Sequence, residues 1–229
     1  MLKVDSFAVF AGLPLEFRQE IEKEMQWKTV DSKKQVVDKA DSNDDLIFVQ
    51  KGRVKIVIHT PSGQEVALDD VDEGEFFGEL SGIDDMPRSA SVTTLQPSVL
   101  AFLPAEKFKH FLKREPEFAL RIMQRLVSII RSSNERIVDL GTLSANSRIL
   151  AELLRIALKK GEEKDGGIYI SPIPKHTEIA ARASTARETV ARVLNGLAKK
   201  NIIAREKKAL VIHNIEILSA MVQEEKGED

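Results

Sequence analysis

Between residues 27 and 103 the apolar positions fall in short runs separated by turn-forming residues. Leu46-Ile47-Phe48-Val49 and Val54-Lys55-Ile56-Val57-Ile58 flank Gln50-Lys51-Gly52, a hairpin pattern in which Gly52 is available for a positive φ. Pro61-Ser62-Gly63 closes the next turn, and further apolar runs at 65–71 and 91–103 keep the close spacing of an antiparallel roll or barrel. An amphipathic stretch at 7–25 precedes them. The first half of the chain is therefore expected to be mostly β.

From residue 117 the period changes. Ala119, Ile122, Leu126, Ile129, Ser133, Arg136, Leu140 and Leu143 recur with alternating gaps of three and four, the spacing of a heptad seam. One helix cannot bury such a stripe by itself, so the simplest partner is the same helix of a second copy; the alternative is packing on the chain's own β-roll. Ser133 and Arg136 are polar members of that seam, where they either fix register or meet something polar. A second helix is expected over 147–160, with Ile149, Leu150, Leu153, Leu154 and Ala157 on its apolar face and Asp165-Gly166-Gly167 as the loop beyond it. Two further helical segments, 177–183 and 185–200, are separated by Ser184. Two short apolar runs, Ile202-Ile203-Ala204 and Ala209-Leu210-Val211-Ile212, then flank Arg205-Glu206-Lys207-Lys208. The pattern is a helix-turn-helix followed by a β-hairpin wing. The expected architecture is α+β: a β-roll of the double-stranded β-helix or jelly-roll type over 1–116, a long dimerisation helix over 117–144, and a winged helix-turn-helix over 145–229.

Charge sharpens this division. The net charge of −2 conceals nine Lys/Arg against three Glu between residues 175 and 210, a local charge of about +6 that leaves about −8 on the rest of the chain. A basic module of this kind attracts a phosphate backbone. The chain has no cysteine, which excludes disulfides, thiolate-held iron–sulfur clusters, zinc fingers and a Cys nucleophile. Its apolar runs are far shorter than the roughly 20 residues of a membrane span, and residues 1–6 carry an acidic residue with no apolar signal stretch behind them. A cytoplasmic location without a membrane partner is expected.

Two strings carry candidate chemistry. In Gly74-Glu75-Phe76-Phe77-Gly78-Glu79-Leu80-Ser81, followed by Pro87-Arg88-Ser89-Ala90-Ser91-Val92, glycine permits close backbone approach and a carboxylate can accept from ribose hydroxyls. A guanidinium beside a hydroxyl can hold a phosphate diester. In Ala183-Ser184-Thr185-Ala186-Arg187-Glu188-Thr189-Val190-Ala191-Arg192, the residues Arg187, Glu188 and Arg192 share a helical face; Arg reads guanine and Glu accepts from cytosine N4.

Together these strings resemble the cyclic-AMP receptor protein/FNR family of transcription regulators, over essentially the whole chain. The family's cassette F-G-E-L, spacer, P-R-S/A-A-x-V stands here as Phe77-Gly78-Glu79-Leu80 and Pro87-Arg88-Ser89-Ala90-Ser91-Val92. The resemblance implies that Glu79 takes the ribose 2′-OH and Arg88 the cyclic phosphate, with Gly78, Leu80 and Ser89 completing the ligand set. Aligning Asn146-Ser147-Arg148-Ile149 with the end of the family's dimer helix places Ser133 and Asn134 where the adenine amino group is met, Asn being a departure from the family's Ser. The implied effector is cyclic AMP. The implied partners are a second copy of the chain, RNA polymerase, and double-stranded DNA with GTGA-like inverted repeats. Arg187, Glu188 and Arg192 would read bases; Thr177, Thr185, Lys199, Lys207 and Lys208 complete the DNA-binding set. Ser184 replaces the turn glycine, and a small polar residue can still adopt αL.

The alternatives are another effector, such as cyclic GMP or cyclic di-GMP, no effector at all, or a cyclic-nucleotide-binding regulatory subunit of an enzyme. An oxygen sensor of the FNR type needs cysteines, and His59, His110, His176 and His213 are not placed as haem ligands beside the dimer helix. No nucleophile–base pair, metal cluster or P-loop is visible, so no enzymatic role is expected.

Overall fold

A computed structural model describes residues 3–39, 41, 43–60 and 65–226. The chain divides into two compact units, Met1–Ile130 and Arg131–Asp229. The first begins with 3-10 turns at Lys3–Ser6 and Ala8–Phe10 and with helix α1 (Leu15–Glu24). Strands β1 (Gln26–Val30), β2 (Gln35–Val37), β3 (Leu46–Lys51), β4 (Arg53–His59), β5 (Glu65–Asp72) and β6 (Phe76–Phe77) follow. Then come the short helix α2 (Glu79–Asp84), β7 (Ser91–Thr94), β8 (Ser98–Leu103), α3 (Ala105–Arg114) and the 27-residue α4 (Pro116–Thr142), whose residues from Arg131 onward belong to the second unit.

The strands form two antiparallel four-stranded sheets, ordered β1-β8-β3-β6 and β2-β7-β4-β5. Alternation along β3 explains its unbroken apolar run. Ile47 and Val49 enter the core between the sheets with Val54, Val71, Val92 and Leu100. Leu46 and Phe48 enter a second core with Phe7, Phe10, Phe17, Phe108 and Phe118.

The expected hairpin at 46–58 is not one. β3 pairs with β6 and β8, and β4 with β5 and β7, so the chain changes sheets at Gly52. Gly52 has φ 104°, and a Cβ there would lie 2.3 Å from Ser98 Oγ and 2.7 Å from Ser98 Cα. A glycine between two apolar runs signals a sharp turn of the chain, but not which strand each run will pair with. The turn read at Pro61-Ser62-Gly63 lies outside the described residues.

The phase of the α4 seam also needs correction. Ile122, a member of the expected seam, is buried with Phe118 in the core of its own unit. The outward stripe is displaced by one residue: Leu120, Met123, Val127, Ile130, Asn134, Ile137 and Gly141, again with alternating gaps of three and four, all exposed. Its large apolar members are 44–66% exposed. α4 carries two apolar stripes side by side, and periodicity alone does not say which one faces the chain's own core.

The second unit contains α5 (Ala145–Lys160), β9 (Gly161–Lys164), β10 (Gly167–Ile170), α6 (His176–Arg182), α7 (Arg187–Lys199), β11 (Ile203–Glu206), β12 (Ala209–Ile212) and α8 (Ile215–Lys226). Ser144 caps α5, its Oγ accepting from the Ser147 N–H at 3.2 Å. One sheet, ordered β11-β12-β10-β9, and the apolar faces of α5 to α8 enclose a core that includes Ile149, Leu153, Ile179, Val190, Leu197 and Ile212. α7 starts at Arg187, two residues later than the pattern suggested, because Thr185 is held in the turn by its N–H bond to Ala180 O. Ser184 adopts the left-handed conformation, φ 48°. No helix of the described residues is long and apolar enough to cross a membrane.

Candidate functional site

The cassette turns on one buried cation. Arg88 follows α2 and is 4% exposed. Its Nη1 donates to Gly78 O at 3.2 Å and Ser81 Oγ at 2.9 Å, and its Nη2 to Asn43 Oδ1 at 3.1 Å and Asp45 O at 2.8 Å. The fifth donor, Nε–H, is buried and has no partner among the described residues. A guanidinium with four N–H groups satisfied and one orphaned carries an unmet demand for an anionic oxygen.

Gly78 is required twice over. Its φ is 89°, and a Cβ would sit 2.5 Å from Arg88 Nη1 and 2.9 Å from Asp45 O. Glu79, the next residue, is 6% exposed. Burial pushes its carboxyl above the usual carboxylate range, against the opposing pull of its backbone N–H and of Arg125 and Arg88. Burial likewise lowers the Arg88 guanidinium from its ordinary value, opposed by Asp45, Asp44, Asp41 and Glu79. Leu80 and Ser89 are exposed beside these groups. The five residues expected in this unit therefore come together, whereas Ser133 and Asn134 lie exposed on α4 in the second unit.

Asn43, Asp45, Ser81 and Arg125 were not foreseen as site residues. Ser81 adjoined the motif, but Asn43 and Asp45 are more than 40 positions away and carried no signal. Arg125 of α4 pairs with Asp69 at 3.4 Å and lies 3.9 Å from Glu75.

In the second unit Arg187, Glu188 and Arg192 are exposed on α7, while Val190 and Leu197 hold the opposite face in the core. Thr177 is exposed in the first turn of α6, and Thr185 is half-buried in the turn between the helices. Lys199 ends α7, and Lys207 and Lys208 form the exposed tip between β11 and β12. Arg148 of α5 was missed. It donates to Ala183 O at 2.9 Å, Ser184 O at 3.2 Å and Leu143 O at 3.0 Å, and so holds the turn that launches α7.

Residues 28–115 match the cyclic nucleotide-binding domain family and residues 147–221 the Crp-like helix-turn-helix domain family. The chain is 31% identical over 160 residues to the cyclic AMP receptor protein of Thermus thermophilus, covering 69% of this chain and 70% of that one. It belongs to the Crp/Fnr family. A second relative, a CRP-like cAMP-activated global transcriptional regulator of Mycobacterium tuberculosis, is 28% identical over 176 residues, 77% of this chain and 79% of that one. The fold is also that of a CooA mutant from Carboxydothermus hydrogenoformans: TM-score 0.77, 20% identity, covering 87% of this chain and 88% of that one. This Crp-like transcription regulator thus pairs a cyclic nucleotide-binding domain, which contains the Arg88 cassette, with a helix-turn-helix domain that presents α7.

Proposed function

We propose that this regulator is switched by cyclic AMP. The observation that carries the reading is the orphan Nε–H of buried Arg88, held between Gly78, Asn43 and Asp45. A phosphodiester with one negative charge supplies the missing acceptor, and the neighbouring Glu79 carboxylate is suited to a ribose hydroxyl. Two relatives named for cyclic AMP support the choice of nucleotide. Calorimetry with cyclic AMP, cyclic GMP and cyclic di-GMP tests it: cyclic AMP is expected to bind tightest. Tighter binding of another nucleotide reassigns the effector, and no binding of any of the three overturns the reading.

The outward α4 stripe supports a homodimer. Leu120, Met123, Val127, Ile130 and Ile137 repeat at coiled-coil spacing, and Asn134 sits where a polar side chain sets register. A two-fold dimer presents two α7 helices to an inverted repeat with half-site centres about one helical turn, roughly 34 Å, apart. Arg187 and Arg192 read guanines of a GTGA-like half-site and Glu188 a cytosine; Lys199, Lys207 and Lys208 touch phosphates. RNA polymerase is the protein partner of such a promoter-bound dimer.

A further inference from the structure

The last turns of α4 are joined to the rest of the second unit by charge rather than by apolar burial. From Arg131 to Thr142 the side chains that are not exposed are those of Ser132, Arg136 and Asp139, none of them apolar. They lead to Glu152 of α5, which is 1% exposed. Glu152 Oε1 accepts from Arg182 Nη1 of α6 at 3.3 Å. Its Oε2 accepts from Arg155 Nη1, one turn along α5, at 3.4 Å, with Arg136 Nη2 of α4 3.9 Å away. Arg155 also pairs with buried Asp139 and lies 3.7 Å from Glu135, both on α4. These carboxylates and guanidiniums therefore link α4, α5 and α6 around one buried side chain.

A buried ion cluster is a poor source of net stability, because desolvation consumes most of the Coulombic gain and an apolar cluster of equal volume does as well. Its hydrogen bonds are directional, however, and an apolar contact is not. We propose that Glu152 is a positioning residue: it sets the angle at which α6, and with it the whole helix-turn-helix, is held against the end of α4. In a dimer built on the α4 stripe, the same angle fixes the separation of the two recognition helices; this last step rests on the dimer reading above.

Arg131→Cys and Asn195→Cys, both at exposed positions, place spin labels on α4 and α7 of a chain that has no cysteine of its own. Labelled chain diluted in unlabelled chain then gives the distance distribution within one chain by pulsed dipolar spectroscopy. A narrow distribution is expected without further change, and at least about a twofold greater width with Glu152→Gln, at a temperature where melting curves show the protein folded. The double variant Glu152→Met with Arg182→Leu keeps the core filled, so it should melt no lower than the parent and still broaden the distribution. An unchanged width in either folded variant overturns the inference. In a second arm, inverted repeats with GTGA half-sites are offered at the one-turn spacing and at one base pair more or less. The parent is expected to prefer one spacing by about tenfold or more, and Glu152→Gln to reduce that preference while binding a single half-site as before. Broadening in a chain whose parent has no spacing preference supports the role of Glu152 and overturns the dimer reading instead. Equal losses on single and paired half-sites, with unchanged width, show a merely structural residue.

Discussion

The cassette and the recognition helix both concentrate charge, but they hold it in opposite ways. Arg88 and Glu79 are buried, and Arg88 is bonded to carbonyl and side-chain oxygens of its own domain. Arg187, Glu188 and Arg192 stand in water on a helix whose other face does the packing. Changing a cassette residue therefore perturbs folding and ligand binding together, because buried partners are left unsatisfied. Changing a residue on the α7 face alters what is bound and leaves stability within about 0.5 kcal/mol. The difference suits the two proposed ligands. A small nucleotide must be enclosed to be bound tightly, whereas a DNA groove is read from outside.

The sharpest break of this contrast comes from Arg88→Leu. It should weaken nucleotide binding by about 2–5 kcal/mol and also lower the melting temperature of the unliganded protein, since Gly78 O, Ser81 Oγ, Asn43 Oδ1 and Asp45 O all lose a donor. Wild-type affinity by calorimetry refutes the phosphate assignment. Next in size is Val127→Asp with Ile130→Asp on the outward stripe, expected to yield monomers by sedimentation and to abolish tight binding to an inverted repeat. Ile122→Asp should instead unfold the first unit, because Ile122 is a core residue. A dimer surviving the first pair of changes would remove the stripe from the interface.

On the exposed side, Arg187→Ala and Glu188→Ala should each cost about 1–3 kcal/mol of DNA affinity and relax preference at particular base pairs, with unchanged melting. Binding-site selection from random DNA checks this. Lys207→Ala should weaken all sequences alike and flatten the salt dependence. If melting falls with Arg187→Ala, the contrast between the two regions fails on its exposed side.

Most of the frame was legible in the sequence, and the misses share a cause. Apolar runs located β3, β4, β5 and the stretch that holds β7 and β8, and the three-four spacing located α4, because both signals are local; the short or mixed β1, β2 and β6 carried no such run. The runs around Gly52 could not reveal that β3 and β4 belong to different sheets, since pairing is decided by strands distant in sequence. The stripe on α4 was misplaced by one residue because Phe118 and Ile122 form a second stripe whose partners, Phe10, Phe17 and Phe108, come from other elements. Glu79 and Arg88 were found through a continuous motif. Their surroundings were not: Asn43 and Asp45 meet Arg88, and Arg182 meets Glu152 across 30 positions, only after folding.

The smallest effect is also the most diagnostic of buried charge. The Glu79 carboxyl is raised above its ordinary value of 4.5, chiefly by burial. A carboxylate with a raised folded-state pKa contributes stability that is present below its unfolded value and lost as pH rises through the folded one. At about pH 7 the unliganded domain therefore bears a cost at this carboxyl, whether of burying its charge or of holding its proton. Glu79→Gln removes that cost while keeping the shape, so the unliganded variant should melt above wild type near neutrality. The two curves should converge as pH falls below the ordinary carboxylate range, where Glu79 is protonated in both states. Saturating cyclic AMP should reverse the order, because a carboxylate accepting a ribose hydroxyl gains a charge-assisted bond that the amide does not match. Scanning calorimetry at several pH values, with and without nucleotide, reads both signs. If Glu79→Gln is less stable than wild type without ligand at neutral pH, the attraction of Arg125 and Arg88 outweighs desolvation, and the cassette is held together by its charges rather than strained by them.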